Sequence, residues 1–162
     1  MTEELERVIP RWLDEQGVEP GAHIEIQPLS GGTSNLMFRI QRGNRRMVLR
    51  RPARVAVERA DAGMVREFRI LQALAGTAVP HAGAIALCED TSLLGCVFYV
   101  MEEVDGLSAA QAAKDVATDP DGPRQLTDAM VDALSELHEV DWQQRGLSDL
   151  GQPDGFHERQ VS

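Results

Sequence analysis

Apolar residues recur at helical spacing at the start of the chain. Leu5, Val8, Ile9, Trp12 and Leu13 fall on one stripe and Gly17 follows as a stop, so an amphipathic helix is expected over residues 3–16. Pro10 lies inside it and removes one N–H donor, which can kink it. The pattern then changes to alternation. Ile24 and Ile26 mark a first strand and Leu36, Phe38 and Ile40 a second. After the turn Arg42-Gly43-Asn44-Arg45 comes a third, in which Met47 and Leu49 face one way and Val48 and Arg50 the other. From about Arg59 to Leu74 the period is helical again, with Met64, Phe68, Leu71 and Leu74 on one stripe. Two further strands are expected near Ala84–Cys88 and Cys96–Met101, joined by EDTSLLG. After Asp105-Gly106 the composition turns helical, with Ser108 as a cap, a TDPDGP loop, and a long helix from Pro123 to about Val140 that carries Leu126, Met130, Ala133 and Leu137. There is no internal repeat and no low-complexity segment.

Composition narrows the classes. A chain of 162 residues with 43% hydrophobic content can bury a core as one domain, or as one small domain plus part of a second. No apolar run approaches the ~18 residues needed to span a bilayer. The first ten residues, MTEELERVIP, are acidic where a signal peptide is basic, so a cytoplasmic protein without a membrane partner is expected. Cys88 and Cys96 cannot build a disulfide framework or a metal site and read as buried free thiols. The net charge of −10 is uneven: residues 1–38 carry two basic and seven acidic side chains, residues 39–69 ten and three, and residues 89–162 four and sixteen. A basic middle between acidic flanks argues against a nucleic-acid partner and suits a local site for a phosphorylated ligand. The competing reading is a solvated face, which is how most charge runs turn out.

The stretch LSGGTSN at residues 29–35 falls between the first two strands. Gly31-Gly32 alone is an ordinary turn signal. Six small or polar residues in a row, Ser30, Gly31, Gly32, Thr33, Ser34 and Asn35, exceed what a two-residue hairpin needs and leave N–H groups to face an anion. A P-loop is excluded because GxxxxGK[ST] is absent and Lys114 is the single lysine. A Rossmann fingerprint is excluded because no helix opens after the glycines. What remains is the glycine-rich hairpin of kinase-like enzymes, in which a basic residue on the third strand touches phosphate and pairs with a glutamate on the next helix. Arg50 and Glu67 occupy those places, and Val48 shares the face of Arg50. Each also has a bland alternative: Arg50 as a surface ion pair, Glu67 as a solvated position between Arg66 and Arg69.

The chain resembles the N-terminal part of the aminoglycoside phosphotransferase family, in the branch related to domains fused to acyl-CoA dehydrogenases. The residues carrying the resemblance are LSGGTSN at 29, MVLRRP at 47, REFRILQAL at 66, VP at 79, ALCED at 86, FYVMEEVDG at 98, ALSELHEVD at 133 and GLSDLGQPDGF at 146. The resemblance implies an α+β fold, with a protein-kinase-like N-lobe and hinge over residues 1–104, built as a five-stranded antiparallel sheet with a helix, and the first helices of an incomplete helical C-lobe over 105–162. It implies ATP as the nucleotide, Met101 at the back of the adenine pocket, and backbone groups of Glu102 and Val104 on the adenine edge. It also implies a small-molecule hydroxyl as acceptor, an antibiotic sugar or a hydroxyacyl thioester.

The catalytic H-G-D loop with its asparagine and the second, magnesium-binding aspartate of such enzymes are absent from these 162 residues. His138-Glu139-Val140-Asp141 is the nearest imitation and reads as a helix terminus. No catalytic residue is therefore assigned, and magnesium is expected in the intact protein alone. Three readings stay open: part of an ATP-dependent phosphotransferase, inactive by itself, in which replacing Arg42 or Arg45 in the turn does little to nucleotide affinity; a non-catalytic nucleotide- or CoA-binding module whose arginines between 42 and 54 meet phosphates; and a degenerate remnant. The apolar stripe of Leu126, Met130, Leu134 and Leu137 is expected to need a missing C-lobe or self-association to bury it.

Overall fold

The structure, a computed structural model, describes residues 2–29, 35–53, 58–107 and 109–151. In chain order the elements are α1 (Thr2–Glu15), β1 (Ile24–Leu29), β2 (Asn35–Arg42), β3 (Arg45–Pro52), α2 (Glu58–Leu74), β4 (Ala84–Cys88), α3 (Thr91–Leu94), β5 (Phe98–Glu102), α4 (Ala109–Thr118) and α5 (Gly122–His138). The strands form one sheet in the order β1-β2-β3-β5-β4, with every neighbouring pair antiparallel.

Alternation along the strands divides the core in two. Ile26, Phe38, Ile40, Met47, Leu49, Phe98 and Val100 point to the face covered by α1, where Leu5, Ile9, Trp12 and Leu13 are buried against them. Trp12 meets Phe98 edge-on, with ring centroids 4.9 Å apart. α1 runs on through Pro10. On the other face α2 lays Met64 and Phe68 against Val97 and Tyr99.

One element escapes the periodicity. The EDTSLLG connection contains α3, a single turn whose Asp90 carboxylate accepts the Ser92 N–H at 2.9 Å and whose Gly95 N–H returns to the Thr91 carbonyl at 2.7 Å. Four residues are too few for a period to show, so only capping chemistry could have marked it. Cys88 and Cys96 are buried free thiols, and burial pushes both above their ordinary range.

α4 and α5 pack on each other at Gly122, where a side-chain carbon would overlap the Val116 carbonyl oxygen. Leu126, Met130, Val131, Leu134 and Leu137 of α5 are exposed, Met130 by 65%. No helix among the described residues is long and apolar enough to cross a membrane.

Candidate functional site

Antiparallel register places Arg50 opposite Tyr99 and Val48 opposite Met101, so these four residues share the α2 face of the sheet. Glu67 descends from α2 onto this patch. Arg50 Nη2 donates to Glu67 Oε1 at 3.2 Å, and Arg50 Nε lies 3.1 Å from Oε2. The Tyr99 hydroxyl donates to the same Oε2 at 3.1 Å. The fork of the guanidinium meets both carboxylate oxygens, a geometry an ammonium cannot supply. Burial pushes the Tyr99 phenol up to about 12; the Arg50 charge opposes this, and the Glu67 charge and hydrogen bond add to it. The Arg50 side chain is 28% exposed and Glu67 38%, so the pair opens to solvent on one side.

Of the residues singled out from the sequence, Arg50, Glu67, Val48 and Met101 thus come together. Asn35 opens β2, paired with Pro52. Ser30, Gly31, Gly32, Thr33 and Ser34 lie outside the described residues. The Glu102 N–H donates to the Gly83 carbonyl at 2.8 Å. Val104 is exposed beyond the end of β5. The stretch around it is tied down by ion pairs from the neighbouring strands, Arg39 Nε to Glu103 Oε1 at 2.7 Å and Arg46 to both oxygens of Asp105 at 2.8 and 2.5 Å. Arg46 in turn holds the Asp105 carboxyl below its usual range. Tyr99 was missed from the sequence, although its parity with Met101 on the same strand was available as a signal.

The basic middle of the chain is largely committed to internal acceptors. Arg42 is 1% exposed: it donates to the Pro10 and Glu19 carbonyls at 2.8 and 2.9 Å and to Asp14 Oδ1. Arg51 is buried and donates to the Leu94 carbonyl at 3.0 Å, while its Nε and Nη1 have no hydrogen-bond acceptor among the described residues. These two arginines cannot meet phosphates, because their head groups are closed inside the fold. Arg54 lies outside the described residues.

A cleft of about 460 Å³ lies elsewhere, lined by Thr77, Ala78, Glu136, Glu139, Val140, Asp141, Gln144 and Arg145. Its three carboxylates disfavour an anion, so the Arg50–Glu67 face is the better candidate for phosphate. Among the described residues, no group of three or more His, Cys, Asp or Glu side chains could hold a metal ion.

A basic residue on the third strand paired with a glutamate on the following helix is the arrangement of a kinase-like sheet, here with an arginine in place of the usual lysine, and the pattern of the phosphotransferase enzyme family (APH) matches residues 25–162. The chain belongs to that family. Acyl-CoA dehydrogenase family member 11 of Homo sapiens is 31% identical over 161 residues, which cover 98% of this chain and 20% of that protein. Acyl-CoA dehydrogenase family member 10 of Mus musculus is 32% identical over 146 residues, 90% of this chain and 14% of the other. The crystal structure of a candidate aminoglycoside phosphotransferase from Ralstonia eutropha JMP134 superposes with a TM-score of 0.72 at 29% identity, covering 96% of this chain and 44% of that one. The phosphotransferase fold described here therefore spans a fifth or less of these dehydrogenase-family relatives and under half of the solved chain.

Proposed function

We propose that this chain is the nucleotide-binding part of an ATP-dependent phosphotransferase that acts on a hydroxyl of a small molecule. The observation that carries the reading is the Arg50–Glu67–Tyr99 constellation in a member of a phosphotransferase family. Tyr99 fixes the Glu67 carboxylate, which holds the guanidinium in one orientation, so its charge is pre-positioned for a phosphate oxygen. Val48 and Met101 offer an apolar surface for the adenine ring, with Glu102 and Val104 at its edge, and the Ser30–Asn35 stretch supplies N–H groups and hydroxyls to the phosphates. Magnesium, when bound, neutralises phosphate charge, and the aspartate motifs that the family resemblance implies for holding it are not found in these 162 residues. Lacking an H-G-D motif, the chain holds nucleotide without turning it over. The names of the dehydrogenase-family relatives favour a hydroxyacyl thioester over an antibiotic sugar as acceptor.

The alternative of a non-catalytic CoA-binding module drew on the arginines between 42 and 54, and it loses support from the burial of Arg42 and Arg51. Calorimetric titration tests the proposal. ATP is expected to bind weakly and with little dependence on magnesium, and Arg50→Ala to weaken it about tenfold, the scale of one charge-assisted hydrogen bond. Equal affinity in the wild type and Arg50→Ala would remove Arg50 from the site. Tight binding that vanishes without magnesium would place metal ligands in this chain.

A further inference from the structure

Residues 141–150 are held against α2 by two arginines reaching in opposite directions. From α2, Arg69 donates to both carboxylate oxygens of Asp149, at 2.9 and 2.7 Å, and to the Gly146 carbonyl at 3.0 Å. From the segment, Arg145 Nη1 donates to the Ala73 and Ala75 carbonyls, at 2.7 and 3.0 Å. Carbonyls at a helix C-terminus lack intrahelical donors and carry the negative end of the helix dipole. α2 has no basic residue in its own last turn, so Arg145 supplies that cation from 70 residues away.

The segment that presents these groups is itself ordered by short-range bonds. The Arg145 N–H donates to the Asp141 carbonyl, Gln144 N–H to the Asp141 carboxylate, Gly146 N–H to the Gln143 carbonyl and Leu147 N–H to the Trp142 carbonyl. Gly146 sits at φ +74°, a turn geometry that suits glycine. Nearer its N-terminus, α2 is anchored by Asp61, whose carboxylate accepts the Val97 N–H at 2.9 Å. Glu67 lies between the two anchors, two residues before Arg69 and roughly 200° around the helix from it. Glu67 and Arg69 ride on one helix, so a rotation or slide of α2 displaces both together.

We propose that segment 141–150 is a latch on α2, and that Arg69, Arg145 and Asp149 are positioning residues that set nucleotide affinity by fixing Glu67 against Arg50 and Tyr99. The inference rests on the reading of Arg50–Glu67 as the nucleotide clamp. Tyr99 provides an independent readout, because it is the single tyrosine of the chain and its hydroxyl bonds Glu67. The test is to label the tyrosine ring isotopically and compare its NMR resonance, together with ATP affinity by calorimetry, in the wild type, Asp149→Asn, Arg145→Gln and Asp149→Glu. The first two variants are expected to move the Tyr99 resonance toward that of free tyrosine and to weaken ATP about threefold or more, with Asp149→Glu recovering both. An unmoved resonance with a lowered Tm would show a merely structural contact and overturn the latch. If the wild type binds no ATP, the nucleotide reading fails, and the Tyr99 resonance still decides whether the latch positions Glu67. Should Asp149→Asn or Arg145→Gln fail to fold, Arg69→Lys keeps the charge, loses the fork, and is read the same way.

Discussion

Arg42 and Arg50 stand on neighbouring strands of one sheet, on opposite faces, and do opposite things with the same side chain. Arg42, on the α1 face, has its guanidinium closed in by two carbonyls and the Asp14 carboxylate, drawn from α1 and the connection that follows it. Arg50, on the α2 face, meets a carboxylate and remains partly open to solvent. A buried charge whose donors are answered by backbone holds elements together. A half-open charge held by a carboxylate is the one that the proposed function assigns to an incoming phosphate. The comparison separates a face that makes the fold from a face available for chemistry, and four measurements can break or sharpen it.

The largest effect belongs to the closed face. Ile9 is fully buried among Trp12, Phe38 and their neighbours, so Ile9→Ala is expected to cost about 3–4 kcal/mol of unfolding free energy by denaturant titration. ATP affinity of the folded fraction is expected to be unchanged. A fall in affinity at constant folded fraction would mean that the two faces are coupled.

Arg42→Ala comes next. It removes hydrogen bonds to the Pro10 and Glu19 carbonyls and the packed aliphatic stem, at a cost of about 3 kcal/mol. A change below about 0.5 kcal/mol would show that these bonds do not hold α1 to the sheet.

That contrast marks where the sequence was legible. The five strands, α1 and α2 followed from the apolar pattern, parity put Arg50 and Val48 on one face with Glu67 one helix later, and Met101 came from the family resemblance alone. Local pattern could not distinguish Arg42 from Arg45, because what buries Arg42 are carbonyls 32 and 23 residues earlier in the chain. The same holds for Arg69 and Asp149, 80 residues apart, whose pairing depends on how segment 141–150 returns to α2. Long-range acceptors leave no periodic trace. The use of the Glu102 N–H by Gly83 was likewise invisible, since backbone bonds carry no residue signature.

The open face should reveal itself through pH. Burial raises the Tyr99 phenol to about 12, with the Glu67 charge adding and the Arg50 charge opposing. A raised folded-state value means that the neutral phenol is the stabilised form. Its contribution is fully present below the unfolded value near 10 and is lost as pH rises through about 12. The loss is of the order of 2 kcal/mol, and Tyr99→Phe should abolish that part of the alkaline slope. Chemical denaturation of both proteins between pH 9 and 12 measures it; parallel slopes would show that Tyr99 is not held as described.

The smallest effect is expected on α5, which belongs to neither face of the sheet. Leu134 is 52% exposed and lies on the same stripe as Met130 and Leu137, so replacing it removes little buried area in an isolated chain. At low protein concentration Leu134→Gln is expected to change unfolding free energy by less than about 0.5 kcal/mol, the range of substitutions away from packed sites. The stripe is nevertheless a contiguous apolar surface, and such surfaces drive association. Sedimentation of the wild type at rising concentration should show self-association that Leu134→Gln reduces. A loss above about 1 kcal/mol that grows with protein concentration would show the stripe buried between copies. The same loss at every concentration would place it against the rest of its own chain, and α5 would then join the closed face rather than stand apart from it.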